Sequence, residues 1–237
     1  MAENIFSKYL TKEDMISVIN FFSIDLLINL IENKCHFTPK ITFTYGQEPF
    51  FPFNVKKYHT SKEKLSERWS EINNIVFPIK IDSNDDLKMF FIDSIIKNIF
   101  PQILFIHSQY SPEDLEKKVN DINFFNNRYS KKELALFFEK VPYFGLHQNV
   151  SLIHLHKMNI TEFDQKEVFI INFNNIDLKN RWDNYNNQTS FIIRLDDIQS
   201  YKLFTIDLIV KKIIPREIIS ISKYSHEELF KDTIIFQ

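Results

Sequence analysis

A chain of 237 residues, 44% apolar and 25% charged, can bury a core without a disulfide or metal staple, and its formal net charge of -2 gives no global attraction to nucleic acid or an anionic membrane. Two glycines, Gly46 and Gly145, cannot build the glycine-rich turns of a P-loop or a Rossmann fingerprint, so those nucleotide-binding classes are excluded. The single cysteine, Cys35, excludes an intramolecular disulfide and a cysteine-based zinc site, and reads as a buried structural residue.

In chain order, Met1-Ala2-Glu3-Asn4 lacks the basic start and small-residue cleavage site of a signal peptide. Thr11-Lys12-Glu13-Asp14 opens a helix predicted to run to about Asn33. Ile41 to Tyr45 alternates with period two, as a strand does. Thr60 with Glu63 has capping-box spacing and leads into a helix through Trp69. Ile75 to Ile81 reads as a strand, placed at a sheet edge by Pro78. Ser83 precedes a helix from Leu87 to Ile99, Ile103 to His107 is a short strand, and Ser111-Pro112-Glu113-Asp114 starts another helix.

Ser130 with Glu133 and Ser225 with Glu228 repeat the capping-box spacing. Between them, Val150 to His156, Glu167 to Phe173, Ser190 to Leu195 and Phe204 to Ile214 are rich in β-branched residues and read as strands. Pro215 ends the last, and Ile218 to Ser222 resumes it. Asn172 to Gln188 is dense in asparagine and reads as a long hairpin loop. The most apolar stretch, Met89 to His107, is interrupted by Asp93, Lys97 and Pro101, so no membrane span is expected and a soluble, cytoplasmic protein is.

The first half is therefore helix-rich and the second strand-rich. That segregation predicts an α+β fold: a mixed, mostly antiparallel sheet with the helix-rich N-terminal half packed on it. A single domain over 1–237 is expected, with no internal repeat.

His147, His154 and His156 form the sharpest local cluster. On a strand, His154 and His156 project from one face, and with His147 and Asp164 they have the makings of a site for a divalent metal. The alternative is a polar sheet face with hydrogen-bonded histidines. His59 with Thr60 and Ser61 offers an imidazole and hydroxyls to a ribose or phosphate, or Thr60 and Ser61 simply cap the helix. The acid-x-lysine spacing of Mg²⁺ nucleases occurs several times, with only Asp164 and Lys166 leading into a predicted strand, and no nuclease is inferred. No Gly-x-Ser-x-Gly elbow exists, so a serine hydrolase is unsupported. The lysine pairs are scattered among acids and read as solvated faces, so nucleic acid is not indicated.

Phe43-Thr44-Tyr45-Gly46-Gln47 with Phe51-Pro52-Phe53, then Tyr143-Phe144-Gly145-Leu146, then Arg181, Gln188, Phe191 and Lys212-Ile213-Ile214-Pro215 follow one another in order. This series resembles the FRG domain family of bacterial defence and toxin loci, from about Thr11 to Phe230, with both glycines on the family's glycine positions. Tyr45 stands where that family has arginine, and His147-Gln148-Asn149-Val150 replaces its Pro-Thr-Arg-Leu-Leu-Asp stretch.

Three functional expectations follow. The first is a binding protein of a bacterial or phage conflict system, a defence, immunity or anti-defence factor, whose partner is another protein. Its anchors would be Trp69, Arg181, Trp182 and Tyr185, aromatic and guanidinium groups that dominate interface energetics. The second, implied by the resemblance, is an ADP-ribosyltransferase-like enzyme acting on NAD or another nucleotide through Tyr45, His59, Arg181 and Gln188. The third is a metal-dependent hydrolase built on His147, His154 and His156.

Overall fold

The capping signals at Thr11, Ser83, Ser111 and Ser130 are realised in the computed structural model, which describes residues 4–34, 39–46, 55–57, 75–116, 128–141, 151–154, 168–170, 190–194, 197–211 and 217–221; those at Thr60 and Ser225 lie outside the described residues. Helix α1 (Ile5–Tyr9) starts where the Asn4 side chain accepts from the Phe6 amide at 2.9 Å. Helix α2 (Lys12–Phe21) carries a reciprocal capping box between Thr11 and Asp14. The expected long helix to Asn33 is interrupted. Phe22 is extended, the Ser23 hydroxyl accepts from the Leu26 amide at 3.1 Å, and a new helix, α3 (Ile24–Lys34), leaves at 96° to the first. Ser23 is thus a second N-cap inside an apolar run that reads as continuous.

Next come β1 (Lys40–Tyr45), β2 (Lys56–Lys57), β3 (Val76–Lys80), α4 (Asn84–Lys97), β4 (Ile103–Ser108), α5 (Pro112–Glu116) and α6 (Lys131–Lys140). The remainder holds β5 (Ser151–His154), β6 (Val168–Ile170), β7 (Ser190–Arg194), α7 (Ile198–Lys211) and β8 (Glu217–Ile221). Where one domain over 1–237 is expected, the chain divides into two compact units, Met1–Val141 and Pro142–Gln237.

The strands form two sheets, ordered β1-β4-β3-β2 and β5-β8-β7-β6, and every described pair is parallel. This corrects the mostly antiparallel expectation. In the second unit the cause lies in one segment: Phe204 to Ile214, read as a strand for its β-branched residues, belongs largely to helix α7. Phe204-Thr205-Ile206-Asp207-Leu208 alternates apolar and polar residues with period two, so its spacing imitates a half-buried strand. As a helix it becomes the crossover that joins two parallel strands, β7 and β8, just as α4 joins β3 and β4.

Strand β3 is interior rather than an edge, lying between β4 and β2. The Ile103 amide donates to the Ile75 carbonyl and the Ile81 amide to the His107 carbonyl, both at 2.8 Å, so the odd-numbered residues of β3 bond toward β4. Pro78 therefore turns its missing donor toward β2, which among the described residues pairs with Ile79 and Lys80.

The expected absence of a repeat is also overturned. β3, α4 and β4 begin at 76, 84 and 103; β7, α7 and β8 begin at 190, 198 and 217, each displaced by 114 residues (190 less 76, 198 less 84, 217 less 103). The strand order is the same in both sheets, and so is the register: Val76 and Lys40 oppose Ile103, while Ser190 and Ser151 oppose Glu217. At this displacement 17 of the 44 residues from Ile75 to Lys118 are identical to those from Thr189 to Asp232, too many for chance pairing of two unrelated segments. The helix caps even exchange residues. Ser83 receives the Asp86 amide and bonds the Asp86 carboxylate, while Asp197 receives the Ser200 amide and accepts from the Ser200 hydroxyl.

In the first unit, α4 is buried along most of its length, with Phe90 stacked on Phe77 of β3 at 5.9 Å and 14°. Helix α3 packs on α4, and α6 packs on α1, α2 and α4 through Phe6–Phe138 and Phe22–Phe137 ring contacts. The Asn98 backbone at φ 54 ends α4 in the left-handed region, a conformation asparagine tolerates. In the second unit, α7 buries Leu203, Phe204, Ile206 and Leu208. Among the described residues no single helix is long and apolar enough to cross a membrane.

Candidate binding edge

Side chains on a strand alternate in direction, so Phe77 and Ile79, with their register partners Leu104 and Ile106, turn toward α4. The opposite face of the first sheet carries Thr42, Phe105 and Pro78, then a final row of Thr44, His107 and Lys80 at the carboxyl ends of β1, β4 and β3. All three residues of that last row are polar. His107 is buried, Thr44 and Lys80 are half-buried, and the Thr44 Oγ1 lies 3.5 Å from His107 Nδ1 and 3.4 Å from the Ile106 carbonyl.

The next residue of β1, Tyr45, is 69% exposed. Gly46 follows at φ +101, which side-chain-bearing residues rarely adopt, and a Cβ built there meets nothing within 4 Å. At the end of β4 the Ser108 hydroxyl accepts from the Tyr110 amide at 3.1 Å and tightens the exit turn. In parallel sheets the carboxyl ends of the strands are where ligands are held, because the loops that leave them converge there. This edge supplies a hydroxyl, an imidazole and an ammonium in one row, while Tyr45 turns to the other face, opposite Ser108.

A second polar cluster lies at the corner between α2 and α3. Lys88, on α4, is buried, and its Nζ donates to the Asn20 carbonyl at 3.1 Å, near the C-terminus of α2. Glu116 accepts from the Ile24 amide at 2.9 Å, at the start of α3. One cation and one carboxylate thus meet the two helix ends whose partial charges they complement. Burial pushes the Lys88 ammonium down to about 8, against the opposing pull of Asp85 and Glu116. Its place beneath a helix end makes this cluster a structural tie.

Of the residues singled out from sequence, Tyr45 is on the edge just described. His154 ends β5, opposite Ser220 of β8. His59, Trp69, His147, His156, Asp164, Arg181, Trp182, Tyr185 and Gln188 lie outside the described residues. Among the described residues no group of three or more histidines, cysteines and acids is placed to hold a metal. Sequence reasoning passed over Thr44, Lys80 and His107. Their only signal was a polar residue at the end of each apolar run, which gains meaning once the three strands are known to be parallel neighbours.

Comparison with known proteins returns no matching family model, no matching curated protein and no matching solved structure.

Proposed function

We propose that this chain binds a nucleotide-class ligand at the carboxyl edge of its first sheet. The observation that carries the reading is the row Thr44–His107–Lys80 at the carboxyl ends of three parallel strands, with the exposed ring of Tyr45 at the end of β1 on the other face. A nucleotide presents a charged phosphate and an aromatic base on one molecule. Lys80 and His107 suit the phosphate, and a ligand that passes over the strand ends brings its base to the tyrosine ring on the other side of the edge. The absence of glycine-rich motifs fits side-chain recognition at strand ends better than a backbone cradle. A cytoplasmic setting in a bacterial or phage conflict system, with a protein partner, is proposed alongside; its support is the family resemblance described above.

A thermal-shift series with NAD, ATP and GTP tests the reading. At about 100 times Kd, one of them raises the unfolding temperature of the first unit by roughly 5–10 °C. The rise shrinks by more than half in Tyr45→Ala and Lys80→Glu. No rise with any of the three defeats it.

A further inference from the structure

The corner between α2 and α3 holds a polar side chain that helix formation and packing do not explain. Asn20 lies in the last turn of α2 and is half-buried as a residue, yet its side-chain Oδ1 and Nδ2 are both shut off from solvent and neither has a hydrogen-bond partner among the described residues. Turning the amide over exchanges the two atoms and leaves the same two groups unbonded. Native interiors rarely leave a buried donor or acceptor unmet, and here both belong to one carboxamide. A helix end does not itself require this residue. At the displacement that carries Thr11 to Ser130, Asn20 corresponds to Glu139 of α6 (130 less 11 equals 139 less 20), and Glu139 is exposed and accepts from the Asn4 side chain at 2.7 Å.

The surroundings of the corner are polar. The Asn20 main-chain carbonyl accepts from Lys88 Nζ at 3.1 Å, Glu116 accepts from the Ile24 amide at 2.9 Å, and Asp85 and Glu116 both attract the Lys88 ammonium. An apolar cavity stays dry, whereas a polar one holds water. An ion suits the place poorly, because a cation meets the ammonium and an anion meets two carboxylates.

We propose that a water molecule is bound beneath this corner, accepting from Asn20 Nδ2 and donating to Asn20 Oδ1, as a built part of the joint between α2 and α3. Water is donor and acceptor at once, so one molecule bridges the neighbouring N–H and C=O of a single carboxamide. Polar groups of the corner take its remaining bonding capacity, toward the about three hydrogen bonds that a buried water makes. The water does not depend on a nucleotide binding at the carboxyl edge.

Oxygen-17 magnetic relaxation dispersion of the solvent counts the long-lived internal waters of the full chain. Asn20→Leu keeps the approximate size of the side chain and removes both polar atoms, and it lowers that count by one. Ser17→Ala, at an exposed position of the same helix, leaves the count unchanged. Circular dichroism superposable on the parent shows that both variants are folded. An unchanged count in folded Asn20→Leu overturns the water. Crystal diffraction from the parent decides the matter even where Asn20→Leu does not fold. The expected density is an ordered water within about 3.2 Å of Oδ1 and Nδ2, and a carboxamide bonded to protein groups or turned out to solvent overturns the proposal.

Discussion

Phe90→Ala lowers the unfolding free energy of the first unit by about 3–5 kcal/mol, measured by chemical denaturation. Phe90 is fully buried at the centre of α4, stacked on Phe77 and edge-on to Phe91 at 5.7 Å. It is the point at which the crossover helix grips the sheet. Truncation removes both the transfer energy of the ring and the contacts of the residues around the hole, since a packed interior relaxes only in part. Phe21, 48% exposed on α2, supplies the control: Phe21→Ala costs less than about 1 kcal/mol. Equal costs at the two positions would show that α4 does not join the sheet as described.

The second large effect is a pH dependence that Lys88 imposes. Its folded-state value is lowered to about 8 from 10.5, chiefly by burial. Between those values the unfolded chain holds a proton that the folded chain has released, so the unfolded state binds more protons and stability rises with pH across that window. The rise reaches at most about 3 kcal/mol and is complete above the unfolded value. Below pH 8 both states are protonated and the contribution is flat. Other lysines and tyrosines also titrate in this range, so the readout is the difference between the parent and Lys88→Met. That difference climbs in favour of the parent from pH 8 to 10.5. Parallel stability curves would mean that the ammonium is not desolvated.

What the sequence disclosed was local. Thr11, Ser83, Ser111 and Ser130 announce their helices because a cap is a contact between residues three apart, and each bonds the amide three residues on. Pairing between strands is not local. Whether Ile41–Tyr45 meets Ile103–Ser108 in parallel depends on what lies between, and nothing in either run records it. Misreading the segment around Phe204 as a strand removed one crossover and with it the parallel sheet of the second unit.

The repeat was hidden for two reasons. Isoleucine, phenylalanine, lysine and asparagine recur throughout, so chance matches blur any single displacement. The leading segments are also out of step. Thr11 and Ser130 head helices with the same buried pattern, Met15, Ile16, Val18, Ile19 and Phe22 against Leu134, Ala135, Phe137, Phe138 and Val141, displaced by 119 residues (130 less 11). The first strands, Lys40–Tyr45 and Ser151–His154, are displaced by only 111 (151 less 40). The first unit has α3 in the longer connection. The candidate edge was legible only in Tyr45 and Gly46. Thr44, His107 and Lys80 come from three strands and become one row only through the register that joins them.

The most direct measurement is the backbone amide spectrum of the labelled chain as ADP is added. Ligand seated on the first edge shifts Tyr45, Gly46, Ile81, Asp82 and the turn from Ser108 to Tyr110, and leaves the amides of α2 and α6 in place. Saturable binding whose shifts fall elsewhere, with those strand ends unmoved, would contradict the assignment of the carboxyl edge as the binding surface.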